Sequence, residues 1–201
     1  MKKTILVGLL ILMSIILIAC GGRKVTITFQ SNGGSSVQAM TVNQLKSFEE
    51  PVTTREGYTF KGWFREETFE NEFDFNAGAS RNLTLYASWE INSYTLTLNF
   101  NNGEAQQTIS GNYNTNITLP TPTRVGYTFG GWYQDQNLTT RFEATRMPAA
   151  NLNLYARWSA IVYVITFSVE GELLTTRTVQ HGQTLTNIPN IPAREGYDAV
   201  W

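Results

Sequence analysis

Two stretches of this chain are one stretch written twice. Residues 25–90 align with residues 94–159 at a constant offset of 69, without a gap, and 22 of the 66 positions are identical. Gly57-Tyr58-Thr59-Phe60 recurs as Gly126-Tyr127-Thr128-Phe129, and Gly62-Trp63-Phe64 as Gly131-Trp132-Tyr133. Leu83, Leu85, Tyr86, Ala87 and Trp89 return as Leu152, Leu154, Tyr155, Ala156 and Trp158, while Pro51 and Arg55 return as Pro120 and Arg124. A frame kept over that length identifies a duplicated folding unit, which constrains the fold more than any local propensity does. A third copy begins: Tyr163-Val164-Ile165-Thr166-Phe167 matches Tyr94–Leu98, and Arg194-Glu195-Gly196-Tyr197 matches Arg55–Tyr58. It reaches Trp201 near the place of Trp63 and Trp132, is one residue shorter between Gly and Trp, and lacks the segment equivalent to Asn82–Trp89.

Within each copy the pattern is β. Tyr94, Leu96, Leu98 and Phe100 alternate with Thr95, Thr97 and Asn99, as in a strand with one buried face. Leu83–Trp89 and Leu152–Trp158 alternate in the same way. Asn32-Gly33 and Asn102-Gly103 follow the opening strands directly, and Asn-Gly suits the positive φ angles of a tight type I′ hairpin turn. Glu170-Gly171 fills the same place in the third copy. Helical periodicity is lacking; at most Gln44–Glu49 makes one turn of helix. The fold class expected is mainly β, with a small α+β unit as the alternative.

The N-terminus has a different purpose. Lys2 and Lys3 precede an aliphatic run from Ile5 to Ala19, broken only by Gly8 and Ser14. A basic start, a short apolar core and small residues at the end are the layout of a secretory signal. A membrane-crossing helix needs about 20 apolar residues, more than this run supplies. Leu17-Ile18-Ala19-Cys20 resembles the lipobox of bacterial lipoproteins. The resemblance implies cleavage before Cys20, a diacylglyceryl group on its sulfur, and attachment to the outer face of the cell membrane. Two acyl chains hold firmly, because each buried methylene adds about 0.8 kcal/mol. Cys20 is the only cysteine, which excludes an intrachain disulfide. Cleavage also removes Lys2 and Lys3, taking the formal charge from −1 to −3. That balance argues against a nucleic-acid partner.

The Gly-Tyr-Thr-Phe-x-Gly-Trp-(Phe/Tyr) run, followed by Leu-x-Leu-Tyr-Ala-x-Trp, is similar to the B repeat of internalins, also called the Listeria–Bacteroides repeat. The resemblance implies tandem β-grasp-like modules of the kind found in surface proteins and lipoproteins. The organisation expected is a signal peptide over 1–19, an anchor linker over 20–24, repeats over 25–91 and 92–160, and an incomplete repeat over 161–201. The aromatic content of 12% fits small, disulfide-free modules that depend on an aromatic core.

Few residues suggest chemistry. Trp63, Trp132, Tyr58, Tyr127, Trp89 and Trp158 are the types that build stacking platforms for sugars or quaternary amines. Their recurrence at fixed positions in strands and turns favours a core role. His181, the only histidine, lies in the turn-like Gln180-His181-Gly182-Gln183 and reads as an exposed loop residue. No histidine-based triad or zinc set can be assembled around it. Glu66, Glu67, Glu70, Glu72 and Asp74 form an acidic run whose spacing does not match a calcium loop, and it reads as a solvated loop. Gly33-Gly34 belongs to a turn, so no phosphate-binding glycine loop and no cofactor is expected. The first repeat holds nine acidic against five basic residues, a net −4; the second holds three against four, a net +1. The resemblances imply a lipid-anchored binding or adhesion protein, with membrane lipid at Cys20 and a host-surface protein or cell-wall polysaccharide as partners, and the residues offer no constellation that makes it an enzyme. A structural spacer for a further domain beyond Trp201 is the alternative, and the non-catalytic part of a secreted enzyme is a third reading.

Overall fold

The computed structural model describes residues 22–193, 195–196, 198 and 200. Cys20 and the signal segment lie outside the described residues, as do Arg194, Tyr197 and Trp201. By contacts the chain divides into two compact units. One comprises residues up to Thr53 with Lys61–Ser88, the other Thr54–Phe60 with everything from Trp89 onward.

Among the described residues ten strands are formed: β1 (Lys24–Gln30), β2 (Met40–Asn43), β3 (Tyr58–Phe64), β4 (Leu83–Ile91), β5 (Ser93–Asn99), β6 (Gln107–Asn112), β7 (Tyr127–Tyr133), β8 (Leu152–Ala160), β9 (Val162–Val169) and β10 (Glu172–Gln180). They make two four-stranded sheets of the same order, β2-β1-β4-β3 and β6-β5-β8-β7, and one two-stranded sheet of β9 and β10. In each large sheet the two central strands run parallel, Ile27 opposite Leu83 and Leu96 opposite Leu152. Each opening strand also pairs antiparallel with the strand that follows it.

The repetition is reproduced residue by residue. β1 alternates cleanly, burying Val25, Ile27 and Phe29 while Thr26 and Thr28 face solvent. In the second repeat Leu96, Leu98, Phe100, Trp132, Phe142, Met147, Leu154 and Ala156 form one buried cluster. The Gly-Trp pair breaks strand alternation for a reason. Gly62 and Gly131 hold φ angles of 126° and 105°, and the β7–β8 register shifts between Phe129 and Trp132. Such a bulge turns the following side chain inward, which puts Trp63 and Trp132 in the core.

The mainly β expectation holds, and the α+β alternative does not: among the described residues there is no helix. Gln44–Glu49, the one candidate helical turn, contains only a short turn beginning at Gln44. Leu45 takes a positive φ and donates its N–H to the Ala79 carbonyl, which removes the segment from helical geometry. The Asn-Gly turns also differ from expectation. Asn32 and Gly33 have positive φ, but the first paired residues of that hairpin are Ile27 and Met40, so the turn opens a long connection. Asn101 and Gly103 do the same ahead of Gln107. Among the described residues the expected two-residue hairpin turn forms in the third copy. There Val169 pairs with Glu172, and Glu170 and Gly171 take φ of 54° and 90°, both positive as a type I′ turn requires.

Candidate functional site

Trp63 is fully buried and Trp132 is 4% exposed. Their indole N–H groups donate to the carbonyls of Pro51 and Pro120, each at 3.0 Å. That explains why the prolines recur with the tryptophans; burial leaves Trp63 no face for a stacking platform, and Trp132 shows only a sliver at the wall of the second repeat's cleft. Trp89 and Trp158 are half-buried against Phe60 and Phe129, with ring centroids 5.3 and 5.5 Å apart. The Trp158 N–H also donates to the Phe100 carbonyl at 2.7 Å.

Tyr58 and Tyr127 are placed differently from the core role expected of them. Arg55 covers one ring at 3.8 Å and Arg124 the other at 4.0 Å. A second ring meets each edge-on, Tyr113 against Tyr58 at 6.1 Å and His181 against Tyr127 at 5.5 Å. These contacts lie within the second compact unit and have the same wiring. Asn92 donates its N–H to the Gly57 carbonyl and accepts from the Tyr113 N–H. Ile161 donates to the Gly126 carbonyl and accepts from the His181 N–H. The ring then lies on the glycine itself. A Cβ on Gly57 would stand 2.1 Å from the Tyr113 ring, and one on Gly126 equally close to His181. Both glycines also have positive φ, at 74° and 78°. The recurring Gly-Tyr is thus a seat for an aromatic ring supplied from the strand end of the next copy. His181 is accordingly not an exposed loop residue. It is half-buried in the second seat, 3.4 Å from the Tyr163 hydroxyl.

The acidic run resolves mostly into turn chemistry. Glu66 accepts from the Asn71 backbone N–H at 3.2 Å, and Asp74 accepts from the Asn76 N–H at 2.8 Å. Asp135, which replaces Glu66, accepts from the N–H groups of Thr139 and Thr140; these bonds to the charged form hold its carboxyl below the usual range. No group of three metal-ligating side chains occurs among the described residues.

What the two complete repeats share beyond core and seat is an open cleft. In the first it holds about 430 Å³ between Glu50 and the segment Glu72–Asn76. In the second it holds about 420 Å³ between Leu119-Pro120 and Arg141–Thr145. These positions correspond at the offset of 69, so one groove has been kept with altered lining. Glu50, Glu72 and Asp74 stand where Leu119, Arg141 and Glu143 stand. In the first cleft burial raises the Glu50 carboxyl above its ordinary value, and the nearby Glu72 charge adds to the effect. In the second, Arg141 pairs with Glu143 at 3.3 Å with both side chains more than half exposed, a pair that contributes little to stability. The charge difference between repeats was legible in sequence; the concave surface carrying it was not, because its two walls are some 20 residues apart.

Comparison with known proteins adds a consistent picture. The profile of the Listeria-Bacteroides repeat domain matches residues 26–88, 94–157 and 163–200. Two Evansella cellulosilytica proteins provisionally named as membrane proteins, one of them Gly-rich, are each 34% identical over 86% of this chain. Internalin H of Listeria monocytogenes is 35% identical over 67% of it. The matched part spans 20–26% of the length of these relatives.

Proposed function

Since the chain belongs to the Listeria–Bacteroides repeat domain family, we propose that it is a surface-held binding protein whose modules offer one groove in differently charged versions. The observation that carries this reading is the retained cleft. Core, bulge and ring seat repeat almost unchanged, while the cleft walls change from Glu72 to Arg141 and from Glu50 to Leu119. A purely structural repeat has no reason to keep the concavity and alter its charge. Binding surfaces vary in this way on a scaffold that does not. The ligands proposed are a host-surface protein or cell-wall polysaccharide, and no catalytic step is assigned. The module limits proposed are 25–91, 92–160 and 161–201.

The anchoring part rests on Leu17-Ile18-Ala19-Cys20. Its relatives' names, which place two of them in membranes, support a membrane location. Lipid on Cys20 would hold the repeats on the outer face, with only residues 21–23 between bilayer and β1. Mass spectrometry of the mature N-terminal peptide tests this: a lipidated Cys20 start is expected, and an unmodified Met1 start overturns it. A second reading is favoured by length, because the relatives are about four to five times longer than the region they share with this chain. In that reading the repeats lift a further domain away from the surface. Saturable binding of the chain alone to cells or wall polymer supports the first reading. Its complete absence leaves the spacer.

A further inference from the structure

One end of the first repeat is basic, although the repeat as a whole carries a net −4. Three segments meet there. Lys24 opens β1 opposite Asn43 of β2, and the Gln44 N–H donates to the Arg23 carbonyl at 2.7 Å. The Leu45 N–H donates to the Ala79 carbonyl, and the Gln44 side-chain amide to the Ser80 carbonyl at 2.6 Å. Asn82 completes the junction by accepting from the Thr26 N–H. Residues 22–26, 43–46 and 79–82, gathered in this way, include Arg23, Lys24, Lys46 and Arg81 and no acidic residue. All four basic side chains are exposed, and none is in an ion pair among the described residues. Leu45 lies among them, 62% exposed and with a φ of 55°.

The second repeat shows that the fold requires none of this. At the offset of 69, Arg23, Lys24, Leu45, Lys46 and Arg81 become Asn92, Ser93, Asn114, Thr115 and Ala150, all uncharged and none a large apolar residue. Asn114 has a similar φ of 61°, and asparagine tolerates that backbone where leucine is strained by it. In the second repeat this end serves the ring seat, with Asn92 and Tyr113 closing on Gly57. In the first it leads to Cys20.

We propose that this end of the first repeat docks on the anionic headgroups of the bilayer, with Leu45 entering the headgroup boundary. The inference rests on the lipid anchor proposed at Cys20. At most about 11 Å of extended chain separates Cys20 from Arg23, close to the Debye length of about 8 Å at physiological ionic strength. The bases are thus held where a charged surface still acts on them. Each Lys or Arg beside an anionic membrane strengthens binding about fivefold. Away from Lys46 and Arg81 the repeat is more acidic than its net charge, so an anionic surface turns this end inward. The membrane then sets the orientation of the first repeat as well as its address.

The mature chain makes the contact readable, because its lysines are Lys24 and Lys46 at this end and Lys61 on β3. The full chain is recovered from membranes and reconstituted in vesicles of phosphatidylcholine alone or with about one-quarter phosphatidylglycerol. It is then labelled with acetic anhydride, an uncharged reagent. Mass spectrometry reads acetylation at each lysine, and the N-terminal peptide of the same sample reports lipid on Cys20. Lys24 lies near the surface through the anchor alone, so Lys46 is the reporter. Phosphatidylglycerol should slow its acetylation at least about threefold and leave Lys61 unchanged. The effect should vanish at about 1 M salt, where the Debye length is about 3 Å. Arg23→Asn with Arg81→Ala, and separately Leu45→Asn, install the second repeat's residues. Each should weaken the protection severalfold with the melting temperature kept. Equal labelling of Lys46 in the two vesicles on a lipidated chain, or protection that both variants retain, overturns the docking alone. An unmodified Met1 start overturns the anchor and the docking with it. Slowing by soluble polyphosphate in neutral vesicles, without slowing by phosphatidylglycerol, assigns the bases to a free polyanion and also overturns the proposal.

Discussion

Replacing Trp132 with alanine should unfold the second repeat while the first repeat keeps its own core. Trp132 is 4% exposed, stacks edge-on with Phe100 and Phe129 at 5.5 and 5.6 Å, and donates its indole N–H to Pro120. Its backbone carbonyl also accepts from Phe142, so strand and loop meet at this residue. Truncating a buried aromatic costs about 3–5 kcal/mol, because the lost transfer energy is joined by the cavity left behind. A repeat of this size has a total stability of about 3–10 kcal/mol, so the substitution removes from about a third to all of it. In a domain of 60–100 residues each kcal/mol lowers the melting temperature by about 4–8 °C, giving a fall of at least about 12 °C. Calorimetry combined with amide exchange reads this out by repeat. Protection should be lost in β5–β8 and kept at Val25, Ile27 and Leu85 around Trp63. A melting temperature that moves by less than about 5 °C would refute the reasoning, since it would mean a cost near 1 kcal/mol and a ring that is not a core residue.

Gly57→Ala should disrupt the ring seat, because the new Cβ collides with Tyr113 and the backbone holds a positive φ. Adding Tyr113→Ala relieves the collision but not the backbone strain, so calorimetry should show partial recovery; full additivity would mean the ring does not rest there. Glu50 introduces a pH dependence in the first repeat. Its carboxyl is raised by burial and by Glu72, so the folded state holds the proton more tightly than the unfolded chain does. That stabilisation is complete below the ordinary carboxylate value and is lost as pH rises through the raised one. Urea midpoints for the first repeat should fall with rising pH across mildly acid conditions, and Glu50→Gln should flatten the slope. An unchanged slope in that variant would assign the effect elsewhere.

How much of this was legible in the sequence depended on range. Strands announce themselves through alternation, and the constant offset of 69 carried one copy's reading to the next. Two misplacements share a physical cause. Asn32-Gly33 and Asn102-Gly103 look like tight hairpins because their backbone preference is local, but strand register, not the turn alone, decides where pairing resumes. His181 looked like an exposed loop residue because its seat, Gly126 and Tyr127, lies over 50 residues away. The parallel pairing of β1 with β4, and of β5 with β8, left no local trace for the same reason. Tyr58 and Tyr127 recur as strictly as Trp63 and Trp132, so recurrence alone could not separate ring seat from core. The bulge at Gly131, and the like positive φ at Gly62, make that separation by turning the tryptophans in.

The central claim is that one groove, charged differently in successive repeats, does the binding. The direct measurement is binding of the anchor-free chain to host cells and to purified wall polymer, repeated with Arg141→Glu and Glu72→Arg. These exposed cleft residues leave the cores untouched, so folding should be unchanged. The account predicts saturable binding that changes at least severalfold in one or both variants. Saturable binding that neither charge reversal alters would contradict it, because the partner would then be recognised somewhere other than the clefts.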